Sequence, residues 1–497
     1  MKINLTSEGT DGDKNKNGST NRLLRVFWFS RAAALRVFWF SRAQFFLFYW
    51  LLRSGKYRIK TVIKNQYYHR LHRFYVFRSL HRLVLKVLAY TKRKKILIRS
   101  LGRKESFQII NTEEFRFDSL ERILEYGELS SKSITSLKIS LEDNNYQLTE
   151  TPMWNHSTQL IAFHTNRAIV RGNTNFITQE KLAFFPQQYQ PETEIIPIEM
   201  TGLGKVNLKN LSISIVKAPQ KRIASGINLT GSASGNYAHW LLEILPKALL
   251  IEMAGIHDSV PFLVDKWIHP NMIQSLALLV NPNRKLVMVE RSAELLVEQL
   301  FDARIQTYIP AESRYYFEKR IQKDVDPGWF TFNQNSLDLV RNAVKTLLPK
   351  TELKKRGKLF LTRDPKTSGN ARHIKNIADL SQIATKFGYH IVDPGKVSFL
   401  EQVNLFTNAT RVISPIGASI ANLIYCEPGV NLICLAPSVN NGNYNFFHQL
   451  MLNCNHEMIY LLGETHGGGH HDQISYSIDP MSFEKLLEAK ESDGFIN

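Results

Sequence analysis

Asn236, His239 and Glu243 stand at i, i+3 and i+7, a spacing that puts all three on one face of a helix. Trp240, Leu241, Ile244 and Leu245 take the rest of the circumference, so the predicted helix is buried apart from one polar stripe. A histidine and a glutamate four residues apart in such a place each cost free energy when desolvated alone. Together they make a candidate acid/base pair, with the carboxylate orienting the imidazole. Taken by itself, His239 reads equally well as a satisfied core histidine.

A second stretch, Ser414-Pro415-Ile416-Gly417-Ala418-Ser419-Ile420-Ala421-Asn422, follows the strand-like run Thr410 to Ile413 and leads into Ile420 to Tyr425. That order predicts a strand, a small-residue turn and the start of a helix. Gly417 and Ala418 lack bulk, so backbone N–H groups at the helix start can approach an anion, and a pyrophosphate fits there. The local signal is weak, because many strand-to-helix turns carry a glycine for steric reasons alone.

The elements that must carry these residues are legible as an alternation. Strand-like runs at Leu160 to Phe163, Ala168 to Val170 and Leu211 to Val216 lead to the His239 helix. Strand-like Phe262 to Val264, helical Met272 to Leu279 and strand-like Leu286 to Val289 follow. A second series has helices at Leu337 to Leu348, Ile377 to Phe387 and Phe399 to Thr407, and strands at Lys358 to Thr362, His390 to Val392, Val412 to Ile413 and Asn431 to Leu435. The fold class expected is α/β, with two Rossmann-like domains over 105–326 and 327–497 facing a cleft, where ligands of such folds bind. A late helix, Ser482 to Ala489, is expected to fold back across the domain interface.

Length and charge set the remaining bounds. The 497 residues suffice for two domains and an additional segment. The formal charge is +19, and from Arg22 to Lys104 there are 22 Lys or Arg residues and no Asp or Glu, which leaves the remainder slightly acidic. Residues 1–21 read as a disordered tail and 22–104 as a basic, aromatic-rich helical extension. Inside it, Leu24 to Ala32 recurs residue for residue as Leu35 to Ala43. The longest uncharged apolar window there, Ala43 to Leu52, is about half of what a bilayer span requires. No transmembrane helix and no secretory signal is expected. Arg and Lys among aromatic residues suit a helix on an anionic membrane surface. Packing on protein, or nucleic-acid binding without an accompanying motif, weighs less.

Three cysteines, Cys426, Cys434 and Cys454, show no zinc spacing and fit a reducing compartment. His466, His470, His471 and Asp472 lie around three glycines and read as a solvated loop, so no metal site is expected. Gly231-Ser232-Ala233-Ser234-Gly235 lacks the central serine of a hydrolase elbow.

Between the two opening motifs lie Leu361-Thr362-Arg363-Asp364, Arg372-His373-Ile374-Lys375-Asn376 and Val397-Ser398-Phe399-Leu400-Glu401-Gln402. In this order and spacing the set resembles glycosyltransferase family 61 over about half the chain, Gly226 to Gly463. The resemblance implies a GT-B type fold and an inverting transfer from a nucleotide-sugar donor, UDP-sugar favoured, to a polysaccharide or a glycan, lipid-linked or not. No cofactor is implied. Where the family has His-Gly-Ala, this chain has Ile416-Gly417-Ala418, and no acidic residue follows Asn376.

Under this reading His239 is the catalytic base, with Glu243 beside it, and Asn236 and Trp240 lie on the acceptor side. Arg363, Arg372, Asn376, Gln402, Gly417, Ala418, Ser419, Asn422 and Glu427 bind the donor. Arg363 would grip phosphate bidentately, Arg372 reinforce it, and Glu427 meet the ribose. The reading is a surface-polysaccharide enzyme, and the absence of a lumenal signal together with the basic, aromatic segment leads to the expectation that it is peripheral on the cytoplasmic face of a membrane. Beside it stand a catalytically silent relative that binds nucleotide or polysaccharide, motivated by Ile416, and a nucleic-acid-binding protein acting through the basic extension.

Overall fold

The computed structural model describes residues 104–110, 120–142, 145–184, 204–207, 210, 212–216, 220–291, 293–307, 332–348, 357–364, 372–439, 444–466 and 474–492. Contacts divide the chain between Lys95 and Ile96, and every described residue belongs to the C-terminal unit. The tail at 1–21, the basic extension up to Arg103 with its tandem repeat, and His470, His471 and Asp472 lie outside the described residues.

Thirteen strands come first: β1 Lys104–Ile110, β2 Leu120–Tyr126, β3 Ser130–Glu142, β4 Asn145–Ser157, β5 Leu160–Arg171, β6 Ile177–Gln179, β7 Leu182–Phe184, β8 Gly204–Asn207, β9 Ser212–Val216, β10 Gln220–Leu229, β11 Phe262–Asp265, β12 Leu286–Val289 and β13 Glu294–Arg304. Eleven of them form one sheet in the order β12-β11-β10-β13-β5-β6-β7-β1-β9-β8, with β2 paired to β5. The strands β12, β11, β10 and β13 run parallel. Beyond β13 the pairing turns antiparallel, apart from β1 with β7. The regular alternation expected for this half therefore holds over four strands. A parallel pair needs a crossover, and the helical stretch from Tyr237 to Met253 and the helix Pro270–Leu279 supply it between β10, β11 and β12.

The second sheet takes β14 Gly357–Leu361, β15 His390–Val392, β16 Ala409–Pro415, β17 Asn431–Pro437, β18 Glu457–His466 and β19 Ser475–Ser477, in the order β15-β14-β16-β17-β18-β19. Its first five strands in that order are parallel, and β19 closes the edge antiparallel to β18. Helices Ile377–Lys386, Phe399–Thr407 and Asn445–Asn453 make the crossovers, and a 3-10 helix, Ala418–Tyr425, joins β16 to β17.

The β3–β4 hairpin pairs thirteen residues on each strand and clasps the second half. Lys132 Nζ donates to the Leu452 carbonyl at 2.5 Å, and Asn155 Nδ2 donates to Asn453 Oδ1 at 2.6 Å and to the Phe332 carbonyl at 2.7 Å. One apolar cluster runs from Leu160 and Ile227 through Leu241 and Leu249 to Leu361, Leu423 and Leu450, so the halves share a core. The helix Pro480–Ser492 does not cross between them as expected. Its Phe483 and Leu487 are buried with Phe360 and Leu380 on the second sheet, and each such side chain contributes about 1.5–3 kcal/mol. That burial holds the helix beside Ile377–Lys386.

Candidate active site

After β10 the chain turns through Thr230 to Asn236 and enters a helix whose first turn, Tyr237–His239, is α and whose second, Trp240–Ile244, is π, before α geometry resumes over Leu245–Met253. Asn236 caps the start, its Oδ1 accepting from the Ala238 N–H at 3.0 Å. Pro246 lies at the junction where α geometry resumes. It has no N–H to give the fourth carbonyl back, and its ring clashes with that carbonyl in a regular helix. The Leu245 N–H bonds the Trp240 carbonyl instead, the wider spacing of a π turn, a feature frequent at functional sites.

His239 and Glu243 face one another across this turn, with Nδ1 and Oε2 2.5 Å apart and side-chain exposures of 10% and 15%. A carboxylate only accepts, so Nδ1 carries the hydrogen and Nε2 keeps the lone pair that takes up a proton. Trp240 does not reach the acceptor side. It is fully buried and its indole N–H is bonded to Ser275 Oγ at 2.9 Å, because the wide apolar face of this helix claims it for the core.

The two opening motifs meet, since Tyr237–His239 packs against Ala418–Tyr425. The Tyr237 hydroxyl donates to Asn422 Oδ1 at 2.9 Å, Asn422 Nδ2 to Gln402 Oε1 at 2.9 Å, and Gln402 Nε2 to the Pro394 carbonyl at 2.9 Å. Asn422 and Gln402 are buried, and this chain occupies the groups expected to meet the donor. Their role is to tie the His239 helix to the ends of the second sheet. Tyr237, not among the expected site residues, starts the chain; only its place beside His239 in the sequence marks it.

Past the carboxyl ends of β14 and β16 lies a small pocket open to solvent, lined by Arg363, Arg372, His373, Ile374, Ile377, Pro415, Ile416 and Tyr476. Among the described residues no carboxylate lines it. Among the described residues neither arginine has an ion-pair partner, and Arg372 Nε is buried without a hydrogen bond. Burial holds the Arg363 guanidinium below its ordinary pKa, and the positive charge of Arg372 pushes the same way. Two cations brought together out of water repel, and an anion between them relieves the repulsion. Gly417 belongs to the same arrangement: a Cβ there would stand 2.1 Å from Arg363 Nη2. Its φ of 163° is extended backbone, so a side chain there would meet no backbone strain but would push the end of the Arg363 side chain aside.

Other expected donor residues lie elsewhere or have other partners. Asn376 Nδ2 donates to the Ile478 carbonyl at 2.7 Å and its Oδ1 accepts from the Ile478 N–H at 3.2 Å, which clamps the segment after β19. Glu427 pairs with Lys345 at 2.9 Å on a half-exposed surface. Ala418 and Ser419 open the 3-10 helix directly after Gly417. Among the described residues no group of His, Cys, Asp and Glu is arranged to hold a metal ion, and His466 Nε2 bonds Ser477 Oγ at 2.7 Å.

An α/β body with a buried histidine–carboxylate pair and a cationic pocket at parallel strand ends is the frame of a group-transfer enzyme. The chain is a glycosyltransferase: residues 237–433 match the model of the family described as Glycosyltransferase 61. The matched segment takes in His239, Glu243, Ser414 to Asn422 and the three motifs between them, and begins one residue after Asn236. No curated protein matches the chain. Among solved structures it is similar to the dodecameric iron-containing heptosyltransferase TibC in complex with ADP-D-beta-D-heptose, at 10% identity over 70% of this chain and 80% of that one, with a TM-score of 0.21. A likeness that loose carries no argument.

Proposed function

We propose that this glycosyltransferase is an inverting enzyme of GT-B type, with two Rossmann-like halves, that moves a sugar from a nucleotide-sugar donor, UDP-sugar favoured, to a polysaccharide or lipid-linked glycan. The observation that carries the donor assignment is the partly buried Arg363–Arg372 pair, neither arginine ion-paired among the described residues, at the carboxyl end of a parallel sheet. As the anomeric carbon leaves the diphosphate oxygen, the bonding electrons and their charge pass to the diphosphate, and fixed cations stabilise that charge more in the transition state than before it. The acceptor oxygen bonds to the anomeric carbon from the opposite face. Its proton goes to His239 Nε2, and Glu243 stabilises the imidazolium.

Membrane attachment through Arg22 to Lys104, at a cytoplasmic face and in surface-polysaccharide assembly, completes the reading. It rests on the charge of that segment and on the lipid-linked acceptors such enzymes would meet there. Among the described residues no helix is long and apolar enough to cross a membrane. A second reading, a catalytically silent nucleotide-binding relative, draws on Ile416, whose side chain lines the pocket where the family carries a histidine.

A thermal-shift panel of UDP, GDP, CMP and their sugars tests the donor site. One nucleotide class at 100 times its dissociation constant adds about 2.7 kcal/mol of stability, and Arg363→Ala removes the effect. No shift with any nucleotide overturns the donor assignment. Release of nucleoside diphosphate from the matching sugar separates an active enzyme from a silent one.

A further inference from the structure

Asp265 ends β11 and is fully buried, yet three donors converge on its carboxylate. The Asn173 N–H reaches Oδ1 at 2.7 Å, the Gly231 N–H reaches Oδ2 at 3.0 Å, and the Ser234 hydroxyl bonds the same Oδ2. Gly231 and Ser234 belong to the loop that carries the chain from β10 into the His239 helix. The loop is folded on itself, with the Ser234 N–H on the Gly231 carbonyl at 3.3 Å and the Asn236 N–H on that of Ala233 at 2.7 Å. Two residues beyond Asp265, Trp267 covers its far end. A Cβ on Gly235 would stand 2.8 Å from Trp267 Cδ1, and the Arg291 guanidinium lies 5.2 Å from the centre of the indole ring system. The end of β11 thus holds this loop at two points.

We propose that Asp265 is a positioning residue for sugar transfer, holding the Thr230 to Asn236 loop, when ionised, in the conformation that aims His239 at the acceptor hydroxyl. The inference rests on His239 being the base, as proposed above. An ionised carboxylate accepts all three bonds with charge assistance, whereas a protonated one is a weaker acceptor, so the three bonds that hold the loop weaken. Burial pushes the Asp265 carboxyl up to about 6, against the pull of Ser234, Gly231, Asn173 and the positive charge of Arg291. Arg291 is the charged group that faces it; the donors from the segment before β6 and from the loop are neutral.

The sign separates this role from a structural one. A carboxyl whose folded pKa lies above its unfolded value binds its proton more tightly in the folded state, so its contribution to stability rises as pH falls through about 6. Loop anchoring and turnover fall over the same interval.

Hydrogen exchange of peptides spanning 230–244, corrected for intrinsic rates, and nucleoside diphosphate release from UDP-sugars are measured on the full chain from pH 5 to 8. Loop protection in the wild type should drop several-fold below about pH 6 and be low at every pH in Asp265→Asn. Ser234→Ala removes a bond that favours the ionised form, so the midpoint of protection and the acid limb of turnover should move upward together, by about half a unit or more. It also serves if the asparagine variant fails to fold. Wild-type loop protection in Asp265→Asn, or an unmoved midpoint in Ser234→Ala, overturns the proposal. Undiminished turnover in His239→Gln would sink the base assignment instead, and the exchange data would still report on the loop.

Discussion

At the scale of single residues, His239 and Glu243 form a pair that needs no third group to define its direction, since one nitrogen is bonded at 2.5 Å and the other is left to act. His239→Gln keeps the size and loses the base, so turnover should fall by about 10²–10⁴-fold while nucleotide affinity, measured by calorimetry, stays at the wild-type value. Equal loss of both would place His239 in donor binding. Gly417→Ala tests the pocket from its other wall. The added methyl would collide with the Arg363 guanidinium without straining an extended backbone. Nucleotide affinity should weaken about 10- to 100-fold, the cost of displacing a charge-assisted contact of about 1.5–3 kcal/mol, with the melting temperature little changed.

At the scale of elements, the 3-10 helix Ala418–Tyr425 receives support from both sides. Tyr237 bonds Asn422 at its middle, and His456 bonds its penultimate turn through Nε2 and the Leu423 carbonyl at 2.9 Å. The other ring nitrogen, Nδ1, accepts from the Val430 N–H at 3.3 Å. Both nitrogens are committed in the neutral form, and burial pushes the His456 pKa down to about 4. A histidine whose folded pKa is lowered stabilises the fold fully above its unfolded value of about 6.5 and loses that contribution as pH falls toward 4. The loss is on the order of 3 kcal/mol. Asp265 works in the opposite direction, so the contribution is read from the difference between wild type and His456→Gln in urea unfolding. That difference should shrink from pH 7 to pH 4; a pH-independent difference would refute it.

At the scale of the whole molecule, the charge is separated along the chain, with the Lys and Arg excess confined to Arg22 to Lys104. The full chain should sediment with vesicles containing phosphatidylserine and release as salt rises past the point where the Debye length shortens to about 8 Å. Binding to neutral vesicles to the same extent would remove the electrostatic basis of the attachment. Sequence periodicity alone located the His239–Glu243 pair, the alternation around β14 to β17 and the strand end that presents Arg363, because each depends on residues within one or two turns of one another. The helix Phe399–Thr407 and the strand His390–Val392 fall where their apolar spacing put them. Other features were decided only in three dimensions. The antiparallel half of the first sheet depends on pairings between distant strands, and the π turn on how Pro246 is accommodated. Gln402, Asn422 and Asn376 carry side chains suited equally to a ligand and to a neighbouring peptide; packing brought the peptide or the partner amide within reach. Asp265 left no local mark, since its three donors come from segments 31 to 92 residues away, and only tertiary folding brings them to one carboxylate.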